Sequence, residues 1–163
     1  MANNCELAMK VVGSKENILK LFDEIPFYTD WTVETSDTWD SDAAESSATF
    51  YGDCAWSITS SMLDGSNEEF NLLDRTRNLG LKLEAYGQEP GIGFEEHYYI
   101  DRGELLVSET VDFQEHDLTV FDSRIEAEEA LGFSISEEEW EEYQNGWLPH
   151  GGFGEWSFDR IEN

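Results

Sequence analysis

The feature that most constrains this chain is a change of hydrophobic period near its start. In CELAMKVVG, Leu7, Met9 and Val11 alternate with Glu6, Ala8 and Lys10, the period-two mark of a strand buried on one face. Directly after it, SKENILKLFDEI places Ile18, Leu19, Phe22 and Ile25 at helical spacing, with Ser14 positioned to cap the helix and Pro26 just beyond its end. The two stretches form a βα unit whose core face is already legible.

The alternation of elements continues along the chain. WTVET reads as a strand, SDTWDSDAAESS as an exposed loop or hairpin end, and ATFYGDCAWSI as a further strand. In SNEEFNLLDRTRNLG, Ser66 and Glu69 have capping-box spacing, Phe70 and Leu73 lie one turn apart, and Gly80 supplies the stop. Leu81, Leu83 and Ala85 then alternate in LKLEAY. After the GQEPGIG turn, FEEHYYI and ELLVSETVDF flank the short connection DRG as an antiparallel hairpin. The order β-α-β-β-α-β followed by a hairpin predicts an α+β fold with a ferredoxin-like split β-α-β core, an antiparallel sheet with its helices on one face. A length of 163 residues fits a single domain, with residues 1–112 as the core and 113–163 as an acidic helical extension. The expected core joins Leu7, Met9, Val11, Ile18, Phe22, Trp56, Phe70, Leu73, Leu81, Leu83 and Phe94.

Two short motifs in this region carry a resemblance. GDCAWSI, then a helix, then LGLKLEAYGQEPGIGFEEHYYIDRGEL resembles the YubB-like, ferredoxin-like domain family of plasmid and phage proteins, in which an AWS strand and an EPGxGF turn bracket the second helix. The match spans roughly residues 1–112 and is tightest at Ala55 to Ser57 and Glu89 to Phe94. Where the family pattern has prolines after AWS, this chain has ITSS, so its path into the second helix is expected to differ. The resemblance implies the fold and a mobile-element setting, and brings no catalytic residues with it.

Near the C-terminus, SISEEEWEEYQNG surrounds one tryptophan and one tyrosine with glutamates and no cation. Ser136 and Glu139 have capping-box spacing, and Ile135 and Trp140 occupy the positions of a hydrophobic staple. Glutamates in the first turn also suit the positive end of the helix dipole. Trp140 and Tyr143 are expected to face the core, which turns Glu138, Glu141 and Glu142 outward.

Helix physics explains the placement of these glutamates but not the balance of charge. Against 37 Asp and Glu stand 9 Lys and Arg, a formal net charge of −28, far beyond the roughly 2 to 8 units that suit a small soluble domain. Aromatic residues make up 13% of the chain, which argues for a packed core rather than disorder. A surface this acidic repels nucleic acid and anionic membrane, so neither is an expected partner and basic proteins are. The same charge argues against stacking nucleic-acid bases on Trp31, Trp39, Trp56, Tyr98 and Tyr99. Cys5 and Cys54 lack the spacing of a zinc site or disulfide framework and read as reduced, buried thiols. MANNCELAMK has no charged leader followed by an apolar run, and no stretch approaches the ~20 apolar residues of a membrane span. A cytoplasmic protein without a cofactor is the expectation.

Catalytic chemistry has few candidates. Glu95 and His97 share one strand face, a pairing suited to acid–base work or metal binding, although a polar cluster on a solvated face explains it as well. His116 and His150 have no ligand-spaced partner. Asp37, Asp40, Asp42 and Glu45 offer oxygens for loose calcium binding without the order of an EF-hand loop. The glycines of EPGIGF and HGGFG match no phosphate loop.

From Glu104 to Asp159 the only Lys or Arg is Arg124. Helix carboxylates three and four apart stand ~5–6 Å from one another, and each DNA strand carries one phosphate per ~3.4 Å, so a rigid acidic face can approximate a phosphate array. The leading expectation is a non-enzymatic phage or plasmid accessory protein that mimics DNA and blocks the nucleic-acid channel of a host defence complex, of anti-CRISPR or anti-restriction type. Its binding residues would be Glu126, Glu128, Glu129, Glu137, Glu138, Glu141 and Glu142, with Asp112, Glu115 and Asp117 as a second patch. The alternatives are a protein-interaction module and, after it, a metal-dependent enzyme using Glu95 and His97.

Overall fold

The computed structural model describes residues 4–26, 31–65 and 67–162. Strand β1 (Asn4–Gly13) runs into helix α1 (Lys15–Glu24), capped as expected by the Ser14 side chain, which accepts from the Asn17 N–H. The inward side of α1 is Ile18, Leu21, Phe22 and Ile25. Leu19 is 46% exposed, because it stands about 100° round the helix from Ile18.

Strands β2 (Thr32–Thr35) and β3 (Ser46–Ala55) follow. The chain then makes one wide helical turn over Thr59–Leu63, in the ITSS stretch where the departure from the family pattern pointed to a different path. Helix α2 covers Leu72–Leu79 and ends at Gly80 in the left-handed conformation. Its cap is Asn71, whose side chain accepts from the N–H groups of Leu73 and Asp74. The expected cap, Ser66, lies outside the described residues.

Strands β4 (Lys82–Glu89), β5 (Phe94–Asp101) and β6 (Glu104–Asp117) form two successive hairpins. Helices α3 (Arg124–Leu131) and α4 (Glu137–Tyr143), strand β7 (Trp147–Gly151) and the short helix α5 (Asp159–Glu162) complete the chain. Helix α4 has the predicted capping box, with Ser136 and Glu139 bonded reciprocally.

All seven strands join one antiparallel sheet in the order β2-β3-β1-β4-β5-β6-β7. The α+β class is as the sequence predicts. In this order β1 and β2 run parallel with β3 between them, and β3 and β4 run parallel with β1 between them. Helices α1 and α2 touch each other on one face, over a core that includes Leu7, Met9, Val11, Phe50, Leu83 and Ile100. Phe22 and Leu73 both pack against this core.

Several expectations need correction. Trp56 is 45% exposed, since β3 ends at Ala55 and a left-handed backbone at Trp56, φ 62, carries its side chain out of the strand's alternation. Phe94 is only half-buried, at the rim. Residues 113–163 are more than an acidic helical extension: β7 returns to pair with the end of β6, and α3, α4 and β7 enclose a second apolar cluster of Leu118, Ala127, Ile135 and Leu148, flanked by Trp140 and Tyr143. Helices are not confined to one face, because the segment from Gly152 to Glu162 lies back over the outer face of β4 and β5. No helix among the described residues is long and apolar enough to cross a membrane.

Because Asn71 holds two orphan N–H groups of α2 and also donates to the Leu63 carbonyl at 3.2 Å, Asn71→Ala should lower folding stability by about 1 kcal/mol. Urea denaturation would measure the loss, and an unchanged midpoint would show that the cap contributes nothing.

Candidate functional site

The expected acidic surface exists in part. Asp112, Glu115, Glu126, Glu129, Glu137, Glu138, Glu141 and Glu142 are exposed, whereas Asp117 and Glu128 are half-buried. Four of the ten have a local partner, Glu142 through the Tyr143 hydroxyl. Asp117 accepts from the backbone and hydroxyl of Thr119, Glu126 accepts from the Asp122 N–H at 3.0 Å, and Glu128 pairs with Arg124 at 2.6 Å. The remaining acids on α3 and α4 project away from the cluster that Trp140 and Tyr143 cover. The carboxylate of Glu142 pushes the Tyr143 phenol up from its ordinary value.

A second site emerges where the AWS and EPGIGF motifs meet, which the sequence reading did not foresee. Glu96 on β5 is 1% exposed, on the face that carries α1 and α2. Its Oε2 accepts from the Ile58 N–H at 2.7 Å and lies 3.5 Å from the Cys5 thiol. Its Oε1 accepts from the Thr59 N–H at 3.2 Å and the Tyr98 hydroxyl at 2.7 Å, and the Thr59 hydroxyl contacts both Glu96 and Tyr98. The carboxylate thus sits at the start of the 59–63 turn and takes N–H groups that otherwise lack helical partners. Burial pushes the Tyr98 phenol well up, and the neighbouring Glu96 charge adds to the effect.

Room for this carboxylate comes from Gly87, directly opposite Glu96 in the register. A Cβ there would stand 2.9 Å from Glu96 Oε2 and 3.0 Å from both Cys5 Sγ and the Ile58 side chain. In the EPGIGF turn, Glu89 similarly accepts from the N–H groups of Gly91 and Ile92. The two turns border a cavity of about 270 Å³ with Trp56 and Ile92 at its sides and Glu96 and Tyr98 at its floor.

The outer face of the sheet corrects the pairing of Glu95 with His97. Both are buried beneath the C-terminal segment, not on a solvated face. Glu95 turns to that segment, accepting from the Phe153 N–H at 2.7 Å and the Trp156 indole N–H at 2.9 Å. His97 instead bridges two other carboxylates, with Nε2 at 2.6 Å from Glu84 and Nδ1 at 3.1 Å from Glu109. Glu84 also accepts from the N–H groups of Arg160 and Ile161. Tyr86 stacks on His97 on one side and Trp156 on the other, with centroids 4.2 and 5.6 Å away. The aromatic residues Phe153, Trp156 and Phe158 in the last stretch of the sequence were the available signal that this segment covers something.

Among the described residues no three His, Cys, Asp or Glu side chains are grouped to hold a metal ion. Glu95 and His97 do not share one ligand site, and Asp40 of the 37–45 loop lies 3.8 Å from Lys15. His116 and His150 flank Phe133, with His150 stacked on its ring at 3.7 Å. Burial and the nearby His150 push His116 down. Compared with protein-family models, curated proteins and solved structures, the chain matches none.

Two outcomes follow from this geometry. Gly87→Ala should destabilise the fold by about 1–3 kcal/mol, since the atoms it meets are packed and bonded; a denaturation midpoint equal to wild type would show that Glu96 can move aside. The second concerns His97. Burial alone would lower its pKa, but the bonds and charges of Glu84 and Glu109 outweigh burial and raise it. A folded pKa above the unfolded value of ~6.5 gives stability that is complete below that pH and lost as pH rises through the folded pKa. Glu109→Gln should therefore be clearly less stable than wild type below about pH 6.5, with the gap narrowing above the folded pKa. Melting curves across the range would test this, and a gap that widened with pH would refute it.

Proposed function

We propose that this chain is a non-enzymatic accessory protein of a phage or plasmid. Its acidic surface acts as a DNA mimic in the basic nucleic-acid channel of a host defence complex, of the anti-restriction or anti-CRISPR type, in the host cytoplasm. The observation that carries this reading is the state of the charges in the C-terminal third. Glu129, Glu137, Glu138 and Glu141 are exposed and have no hydrogen bond or ion pair among the described residues, while Arg124, the one cation between Glu104 and Asp159, is taken by Glu128. One-signed charge on a packed surface destabilises the compact state by self-repulsion, and a basic partner relieves that repulsion.

A ferredoxin-like core of the YubB-like type belongs to the same proposal. It is supported by the strand order β2-β3-β1-β4, which interlocks two split βαβ units, and by the meeting of the AWS and EPGIGF turns around one cavity. The helices α3 and α4 stand outside this core on the second apolar cluster, a rigid mount for carboxylates at helical spacing.

A specific feature favours the alternative of a protein-interaction module. Strand β7 pairs only with Phe113 to Asp117, so among the described residues the far side of β6 from Glu104 to Asp112 has no strand partner. Leu105 and Leu106 there are 40% and 51% exposed. An open edge with apolar side chains is a surface that a partner strand can extend.

Capture from a bacterial lysate at low and high salt separates the two. The mimic should retain nucleic-acid-binding proteins, release them steeply as salt rises, and lose them when Glu138, Glu141 and Glu142 are replaced by Lys. Capture that resists salt and survives the triple Lys variant, but is lost in Leu105→Ser with Leu106→Ser, would replace the mimic reading with the edge-strand reading.

A further inference from the structure

The cavity between the AWS and EPGIGF turns has a chemistry that neither the acidic helices nor the β6 edge explains. Trp56, Ile92 and Phe94 give it apolar walls, and Glu96 and Tyr98 close its floor. Among the described residues Glu96 is the only charged one lining it. None of the ion pairs among the described residues involves Glu96. The backbone N–H groups of Ile58 and Thr59 hold this carboxylate by hydrogen bonds, which stabilise its charge without cancelling it. Tyr98 stays a neutral hydroxyl donor to Glu96, since burial pushes its phenol up.

Trp56 supplies an independent sign. A non-glycine residue at φ 62 is uncommon, and positions held in such conformations cluster at ligand clamps, where the surroundings over-determine them. Here the conformation leaves a large aromatic ring 45% exposed at the mouth of a cavity. Ile92 beside it is 55% exposed. Two large apolar side chains thus stand at an opening whose floor is anionic.

Aromatic faces attract cations through the ring quadrupole, most strongly for tryptophan, and a nearby carboxylate adds direct charge attraction. An anion would be repelled by Glu96, and a neutral ligand would gain only the apolar walls. We propose that this cavity binds an alkylammonium group, with Trp56, Phe94 and Tyr98 against the cation and Glu96 balancing its charge. At about 270 Å³ it suits a side-chain-sized head rather than a drug-sized molecule, for which pockets run from roughly 300 to 1,000 Å³. Such a group comes either from a free amine or from a lysine side chain of a polypeptide. The site uses none of the ten acids of the mimic surface, so it stands or falls separately from that reading.

The test is a titration of the full-length protein by isothermal calorimetry, with the NMR signal of the wild-type Trp56 indole N–H locating the site, in about 0.15 M salt to screen the surface charge. The probes are N-acetyl-trimethyllysine amide and its neutral isostere with carbon in place of the quaternary nitrogen. The cation should bind at least ~10-fold more tightly than the isostere, and Trp56→Ala, which removes a half-exposed ring, should weaken it by about 5-fold or more. Glu96→Gln, where it folds, should weaken the cation and narrow the gap between the two probes, leaving the aromatic contribution. Equal affinity in the wild type, no shift of Trp56, or cation binding untouched by Trp56→Ala would overturn the site and leave only counterion attraction to a chain of net charge −28. In the supported case, trimethyllysine within a short peptide binding more tightly than tetramethylammonium assigns the cation to a polypeptide, and equal affinities assign it to a small amine.

Discussion

A carboxylate taken out of water must be given hydrogen-bond donors, or its desolvation costs several kcal/mol, and the β4–β5 hairpin buries Glu84, Glu89, Glu95 and Glu96. Each accepts backbone N–H groups from a segment that has no sheet or helix to bond them fully. Glu96 holds the start of the 59–63 turn, Glu89 the turn after β4, Glu95 the chain at Phe153, and Glu84 the chain at Arg160 and Ile161. The need is mutual, because an irregular segment packed on a sheet has N–H groups that would otherwise be unsatisfied. The hairpin thereby fixes the crossover into α2 on one face and the C-terminal cover on the other.

This arrangement changes how the charge of −28 is understood. Part of the acidic content is structural and internal, bonded to the chain's own N–H groups. Another part is local: Glu139 closes a capping box, Glu126 supports the entry to α3, and Glu128 neutralises Arg124. Other exposed acids form a smaller set on α3, α4 and β6, the two helices being held on their own apolar cluster. A rigid mount matters for any mimic of a phosphate array, since floppy side chains on a mobile segment would lose more conformational entropy on binding.

Much of the scaffold was legible because its signals are local. Ser14 and the Ser136–Glu139 box cap their helices through atoms three residues away, and the alternation of Leu81, Leu83 and Ala85 marks the buried face of β4. Ser66 with Glu69 has equally good spacing, yet Asn71 caps α2, since cap spacing alone does not say where packing begins. Leu19 and Trp56 were misplaced for a related reason. Hydrophobicity proposes an inward position, but one helical step and one left-handed residue turned these side chains outward.

The sequence by itself determined the α+β class, the order of its elements through the β5–β6 hairpin and the acidic faces of the last helices, because periodicity and capping act over a few residues. Only the tertiary structure decided that Glu84, Glu95, Glu96 and His97 are buried. A period-two strand assigns one face to the core and leaves the other to solvent by default, whereas both faces of this hairpin are covered by segments distant in the chain. Trp156 reaches Glu95, Ile58 reaches Glu96, and Glu109 reaches His97. Those partners are joined by desolvation and hydrogen bonding across the fold, forces that leave no periodic trace in the residues themselves.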